Sequence, residues 1–368
     1  MFSKRSDMTL NKRKIITSKS ITVNSIVITA ASGCIILMIS PELSVAAAKK
    51  GLELWFYTVI PSMLPFFIFT DMLVKSGMHI NLGRILERPV RFIMGTSGQG
   101  AFVFVTSVIS GYPAGARIIG EMCRKGDIDG QDARDMLSFC STSGPLFIVG
   151  AAGAGMLGSA EAGYLILISH YISAIATGIS FAENSLINRV LSGRKAKNIA
   201  FNTSRKSEIY HNGADNAGKD ARIVNKPSLT DVMAESIRNS FASIVVIGGF
   251  IILFSILTEY ICHFIPIILS YMGAGTGAYD TDAIVKMAAG LLEMTVGCSS
   301  VSSINAISME IKTILCSYFI SFGGISVAAQ SMSMMRGTGM KTLEYLRLKV
   351  FQGITSAAVT MGFIYFMW

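Results

Sequence analysis

Residues 109–117 read ISGYPAGAR, at the end of the apolar run GQGAFVFVTSV (98–108). Residues 141–146 read STSGPL and lead into FIVGAAGAGML (147–157). Both put Gly, Pro and hydroxyl residues where a membrane helix would be regular. Proline removes a helix hydrogen bond and clashes with the preceding turn. In lipid the freed backbone groups have no water to turn to. Such interruptions are tolerated at membrane depth only where the backbone is buried in protein or lines a wet cavity.

The membrane setting follows from composition. The chain has 368 residues, 51% hydrophobic and only 15% charged, with a mean hydropathy of +0.53. A soluble domain carries about 25% charged residues. Apolar runs near 21–42, 51–75, 99–122, 134–157, 161–186, 236–264, 283–307, 311–334 and 345–367 approach the roughly 20 residues needed to cross a bilayer. The net charge of +9 sits mostly in the tail before 21 and in polar loops. It reads as the positive-inside rule rather than as nucleic-acid binding. The six cysteines show no CxxC or zinc spacing, and HExxH, GxSxG and GxxxxGK[ST] are absent. No metal site, cofactor or catalytic constellation is expected, and the chain does not read as an enzyme.

The polar stretch from 192 divides the chain. The expected layout is a basic cytoplasmic tail (1–20), a first span (21–44), a membrane repeat (45–191), a polar cytoplasmic linker (192–230) and a second repeat (231–368). Each repeat opens with a long apolar helix, KGLELWFYTVIPSMLPFFIFTDML (50–73) or AESIRNSFASIVVIGGFIILFSIL (234–257). Each continues with a small-residue break and then an interrupted helix. Paired broken segments in two halves are the sequence mark of a transporter built from repeats. Loop charges test this. If 99–122 and 283–307 are re-entrant hairpins, the linker and the loops with Arg84, Arg88, Arg336, Lys341, Arg347 and Lys349 all fall inside. The two halves are then inverted. The expected fold is an all-α membrane protein with two re-entrant hairpins, two broken helices and about seven full spans. Lys49-Lys50 falls outside in this scheme and is discordant.

These breaks nominate a substrate site. Ser110, Gly111, Tyr112, Pro113 and Gly115 would form the first hairpin tip. Ser141, Thr142, Ser143, Gly144 and Pro145 would form the first helix break. Gly297, Ser299 and Ser300, with Ser302 and Ser303, would form the second tip, beside Thr295. Ser321, Gly323, Gly324 and Gln330 would form the second break. Half-helix N-termini present positive dipole ends that suit carboxylates. Arg117 either pairs with such a carboxylate or reaches water. Glu293 binds a proton or cation, pairs with Arg117, or faces a vestibule. Asp71, Lys286 and His170 read as helix-end or interface residues, and Trp55 and Trp368 as interfacial anchors. The expected partners are a small anionic substrate and the bilayer, with H+ or Na+ as a coupling cation. A homo-oligomer is compatible with the sequence.

Taken in order, SGYPAGARI, STSGPLFIVGAAGAGMLG, GLLEMTVG and SFGGISVAAQ resemble the YlbJ family of sporulation integral membrane proteins, also called stage V sporulation protein V. The likeness covers about 45–368 apart from the linker. It implies two nucleoside-recognition Gate domains, similar to the core of concentrative nucleoside transporters. It further implies a place in endospore formation and movement of dipicolinic acid, a small aromatic dicarboxylate, across the outer forespore membrane.

Overall fold

A backbone in lipid can pair its N–H and C=O groups only by winding into helices or closing a barrel. The computed structural model describes residues 27–28, 30–76, 85, 88, 90, 92–96, 98–182, 228–271 and 278–367, and every regular element among them is a helix. The tail 1–20, the start of the first span, the linker as far as 227 and Trp368 lie outside the described residues.

Helix α1 (Ala30–Ile39) bends by 107° into α2 (Pro41–Leu54), and a π-turn at Trp55–Val59 carries α2 into α3 (Ile60–Lys75). Pro41 suits the bend because the first helical residue has no intrahelical N–H bond to lose. The first hairpin is α4 (Gly98–Ser110) and α5 (Ala114–Arg124), followed by α6 (Gly130–Leu137). After an unwound stretch come α7 (Leu146–Leu157), wound as a π-helix, and α8 (Ala160–Phe181). The second half holds α9 (Leu229–Tyr271), α10 (Ala278–Leu292), α11 (Met294–Ser302), α12 (Met309–Phe322), α13 (Gly324–Met334) and α14 (Thr342–Met367).

Three described helical stretches are long and apolar enough to cross a bilayer: Ala160–Phe181, Leu229–Ile268 and Met309–Met334. The bent pair Ala30–Ile39 and Pro41–Val59 adds a fourth if it is one span. Other apolar runs fold as shorter helices, such as Gly98–Ser110 and Leu146–Leu157. Helix α14 is long, but it carries Glu344, Arg347 and Lys349.

Among the described residues the chain reverses at both nominated hairpins. Residues seven apart in a straight helix are about 10 Å apart. A Cβ on Gly297 would nevertheless lie 2.8 Å from Gly290 N, so α10 and α11 reverse at Glu293. A Cβ on Gly115 would lie 3.0 Å from Ser107 Oγ, so α4 and α5 reverse at 111–113. The second reversal corrects the sequence reading, which put that tip at 297–303. Ser299, Ser300, Ser302 and Ser303 belong to α11 or its end. Ser302 and Ser303 donate to the carbonyls of Ser299 and Ser300, at 2.7 Å each. Hydroxyls that bond their own turn do not need to interrupt a helix.

Helix α9 packs on α2 and α3, and α14 packs on α8 and α12. Trp55 Nε1 donates to Ile244 O at 3.0 Å, and its ring fills the space over Gly248. Trp55 therefore locks the first half onto α9 instead of anchoring at an interface. Lys50, discordant by charge, pairs with Glu259 at 3.0 Å. Between α12 and α14, Ser317 Oγ lies 2.7 Å from Ser356 Oγ and accepts from Thr360 at 2.7 Å, a polar seam typical of helices packing in lipid.

Candidate functional site

Unwound backbone between α6 and α7 must find partners for its peptide groups. From Cys140 O to Ser143 O, distant side chains supply several of them. Ser107 Oγ donates to Cys140 O and accepts from Thr142 N at 3.2 Å. Lys349 Nζ donates to Ser141 O at 3.0 Å. Ser143 N donates to His170 Nε2 at 2.8 Å, and Tyr171 Oη donates to Ser143 O at 3.2 Å. In the last turn of α12, Tyr112 Oη donates toward Ile320 O at 3.3 Å and Ser321 O at 3.2 Å.

These partners draw the halves together. Tyr112, from the first hairpin tip, also accepts from Lys349 Nζ at 2.6 Å. His170 Nδ1 lies 2.7 Å from Ser321 Oγ, so this one ring joins the first break to the second. A backbone N–H can only donate, so Nε2 carries no proton and Nδ1–H donates to Ser321. His170 is thus neutral, with its tautomer set by its two partners. The cluster of Tyr112, Ser141, Ser143, His170, Ser321, Lys349 and Gln352 is closed to solvent, none of its members more than 4% exposed.

Each reversal is pressed against the break in its own half. Gly111 has φ 77°, which favours glycine, and a Cβ there would lie 2.7 Å from Gly144 N. Gly323 and Gly324 have φ 83° and 74°, and a Cβ on Gly324 would lie 2.9 Å from Leu292 O. Gly115 meets Cys140 O with no room for a side chain. Ser110 Oγ lies 3.0 Å from Thr70 Oγ1, and Ser141 Oγ lies 2.6 Å from Tyr345 Oη. Thr142 Oγ1 lies 2.8 Å from Ser107 Oγ.

Three half-helices begin without a side-chain cap: α5 after Pro113, α7 after Pro145 and α13 after Gly323. Helix α11 differs, because Glu293 accepts from Val296 N at 2.7 Å and from Thr295 Oγ1 at 3.2 Å.

Several nominated residues do not join the cluster. Arg117 pairs with Asp71 at 3.2 Å and is not paired with Glu293. Gln330 donates to Ser326 Oγ in its own helix at 3.1 Å, and Ser299 is exposed. Two central residues were missed. His170 was read as a helix-end residue and Lys349 as a cytoplasmic loop charge. The partners of His170 lie far off in sequence, so no local signal marks it. Lys349 stands inside the apolar run 345–367, and a charge in such a run is a site candidate on that ground alone.

The chain is 30% identical to the sporulation integral membrane protein YlbJ of Bacillus subtilis (strain 168) over 325 residues, which cover 87% of this chain and 78% of that protein. It belongs to the YlbJ family. No protein-family model matches the chain. A solved structure of CNTnw in an outward-facing state superposes on this YlbJ-family chain with a TM-score of 0.41 at 13% identity, covering 90% of this chain and 86% of that one. A superposition this loose carries no conclusion.

Proposed function

We propose that this YlbJ-family protein is a secondary transporter of a small anionic solute. The observation that carries the reading is the meeting of the first hairpin tip and both helix breaks in one closed polar cluster. Broken helices that converge inside a membrane bundle are the architecture of alternating-access carriers. The N-termini of α5, α7 and α13, which lack a side-chain cap, favour an anion through their dipoles. The cargo assigned here is dipicolinic acid, moved across the outer forespore membrane during sporulation, as the family resemblance implies. Two inverted Gate-like repeats (45–191 and 231–368), joined by a cytoplasmic linker, complete the proposal, with H+ or Na+ as the coupling ion.

A binding screen of the purified full chain against small carboxylates and nucleosides tests it. Saturable binding of a carboxylate is expected. Binding of nucleosides alone would overturn the anionic assignment. A folded protein that binds neither class would overturn the transport reading.

A further inference from the structure

Resting on the transport reading above, we propose that Lys349 reads the charge of the cargo: its ammonium group meets the carboxylate of a small dicarboxylate, with Gln352 and Ser143 as neighbouring donors. Lys349 is the eighth residue of α14, about 10 Å along the helix from its start. Only 2% of it is exposed, so its head group does not snorkel to water.

Its Nζ donates to Tyr112 Oη at 2.6 Å, Ser141 O at 3.0 Å and Gln352 Oε1 at 2.6 Å. It also lies 4.6 Å from the centre of the Tyr112 ring. Every one of these partners is neutral. Among the described residues no carboxylate forms an ion pair with it, whereas Asp71 holds Arg117 and Lys75, and Glu259 holds Lys50. His170 adds no second positive charge, because its Nε2 is an acceptor. A buried cation that is hydrogen-bonded but has no counter-charge is costly.

A second observation points the same way. Gln352 Nε2 and Ser143 Oγ are buried and have no hydrogen-bond partner. Buried polar atoms are rarely left unpaired. Gln352 Oε1 takes one of the three N–H bonds of the ammonium; a cargo carboxylate replaces it there, and the free NH2 of Gln352 stays beside Lys349 as a further donor. Ser143 is held two residues from Ser141 by His170. A carboxylate accepts up to about four hydrogen bonds and takes donors from such a set. Arg117 does not fill this role, because Asp71 already neutralises it.

The test compares pyridine-2,6-dicarboxylate with its uncharged diamide, bound to the full chain in nanodiscs and read by calorimetry. Wild type is expected to favour the dicarboxylate by about 30-fold or more. Lys349→Gln should remove that preference while still binding the diamide, which also reports a folded site. Gln352→Glu supplies an internal counter-ion for Lys349. It should raise the melting temperature and weaken dicarboxylate binding by a similar factor. If both variants keep the wild-type preference, the inference fails and the anionic reading stands. If wild type shows no preference for the dicarboxylate, both fail.

Discussion

The two chain reversals solve one problem in different ways. At the first, Gly111-Tyr112-Pro113 leaves α5 without a side-chain cap and sends Tyr112 across the bundle to Ile320, Ser321 and Lys349. At the second, Glu293 turns inward on its own helix and caps Val296. The first tip is therefore wired to the opposite half, and the second is satisfied locally. The two hairpins thus differ in what holds them: the first is bonded across the bundle, the second by its own Glu293 cap.

Substitutions can break this contrast. The largest effect is expected from Gly111→Val, which adds a Cβ facing Gly144 N at 2.7 Å on a backbone with φ 77°. Backbone strain of this kind costs about 1–3 kcal/mol and the contact with Gly144 N adds to it, seen as a large fall in melting temperature and lost binding. Next comes Tyr112→Phe, which leaves two carbonyls and the Lys349 ammonium short of a partner. A loss of about 1–3 kcal/mol is expected, together with weaker cargo binding. Glu293→Gln keeps an oxygen for Val296 N, so its cost should be about 0.5–1 kcal/mol with cargo affinity retained. If Glu293→Gln proves as damaging to binding as Tyr112→Phe, the asymmetry is wrong. The smallest effect on affinity is expected from Arg117→Ala, a change within about threefold, because Asp71 already neutralises that guanidinium.

Much of this was legible in the sequence, for physical reasons. An apolar chain interrupted by SGYPAG, STSGP and FGG must unwind there, and Gly111, Ser141–Gly144 and Gly323–Gly324 lie at such points. The second tip was misplaced because GCSSVSS resembles a break. Serine can satisfy its hydroxyl on its own helix, so the Ser run stays wound. The true signal is the spacing in GLLEMTVG, where Gly290 and Gly297 flank a capping glutamate and allow two helices to touch. His170 is illegible because its role depends on Ser321, far off in the chain; Lys349 shows as a charge inside an apolar run, but its partner Tyr112 does not. Only the folded bundle brings them within reach.

Uptake of labelled pyridine-2,6-dicarboxylate into vesicles holding the purified full chain tests the central claim most directly. Saturable uptake above that of protein-free vesicles, competed by unlabelled dicarboxylate and weakened by Tyr112→Phe, is the expected result. No uptake above protein-free vesicles, from protein shown to be folded and inserted, would contradict it.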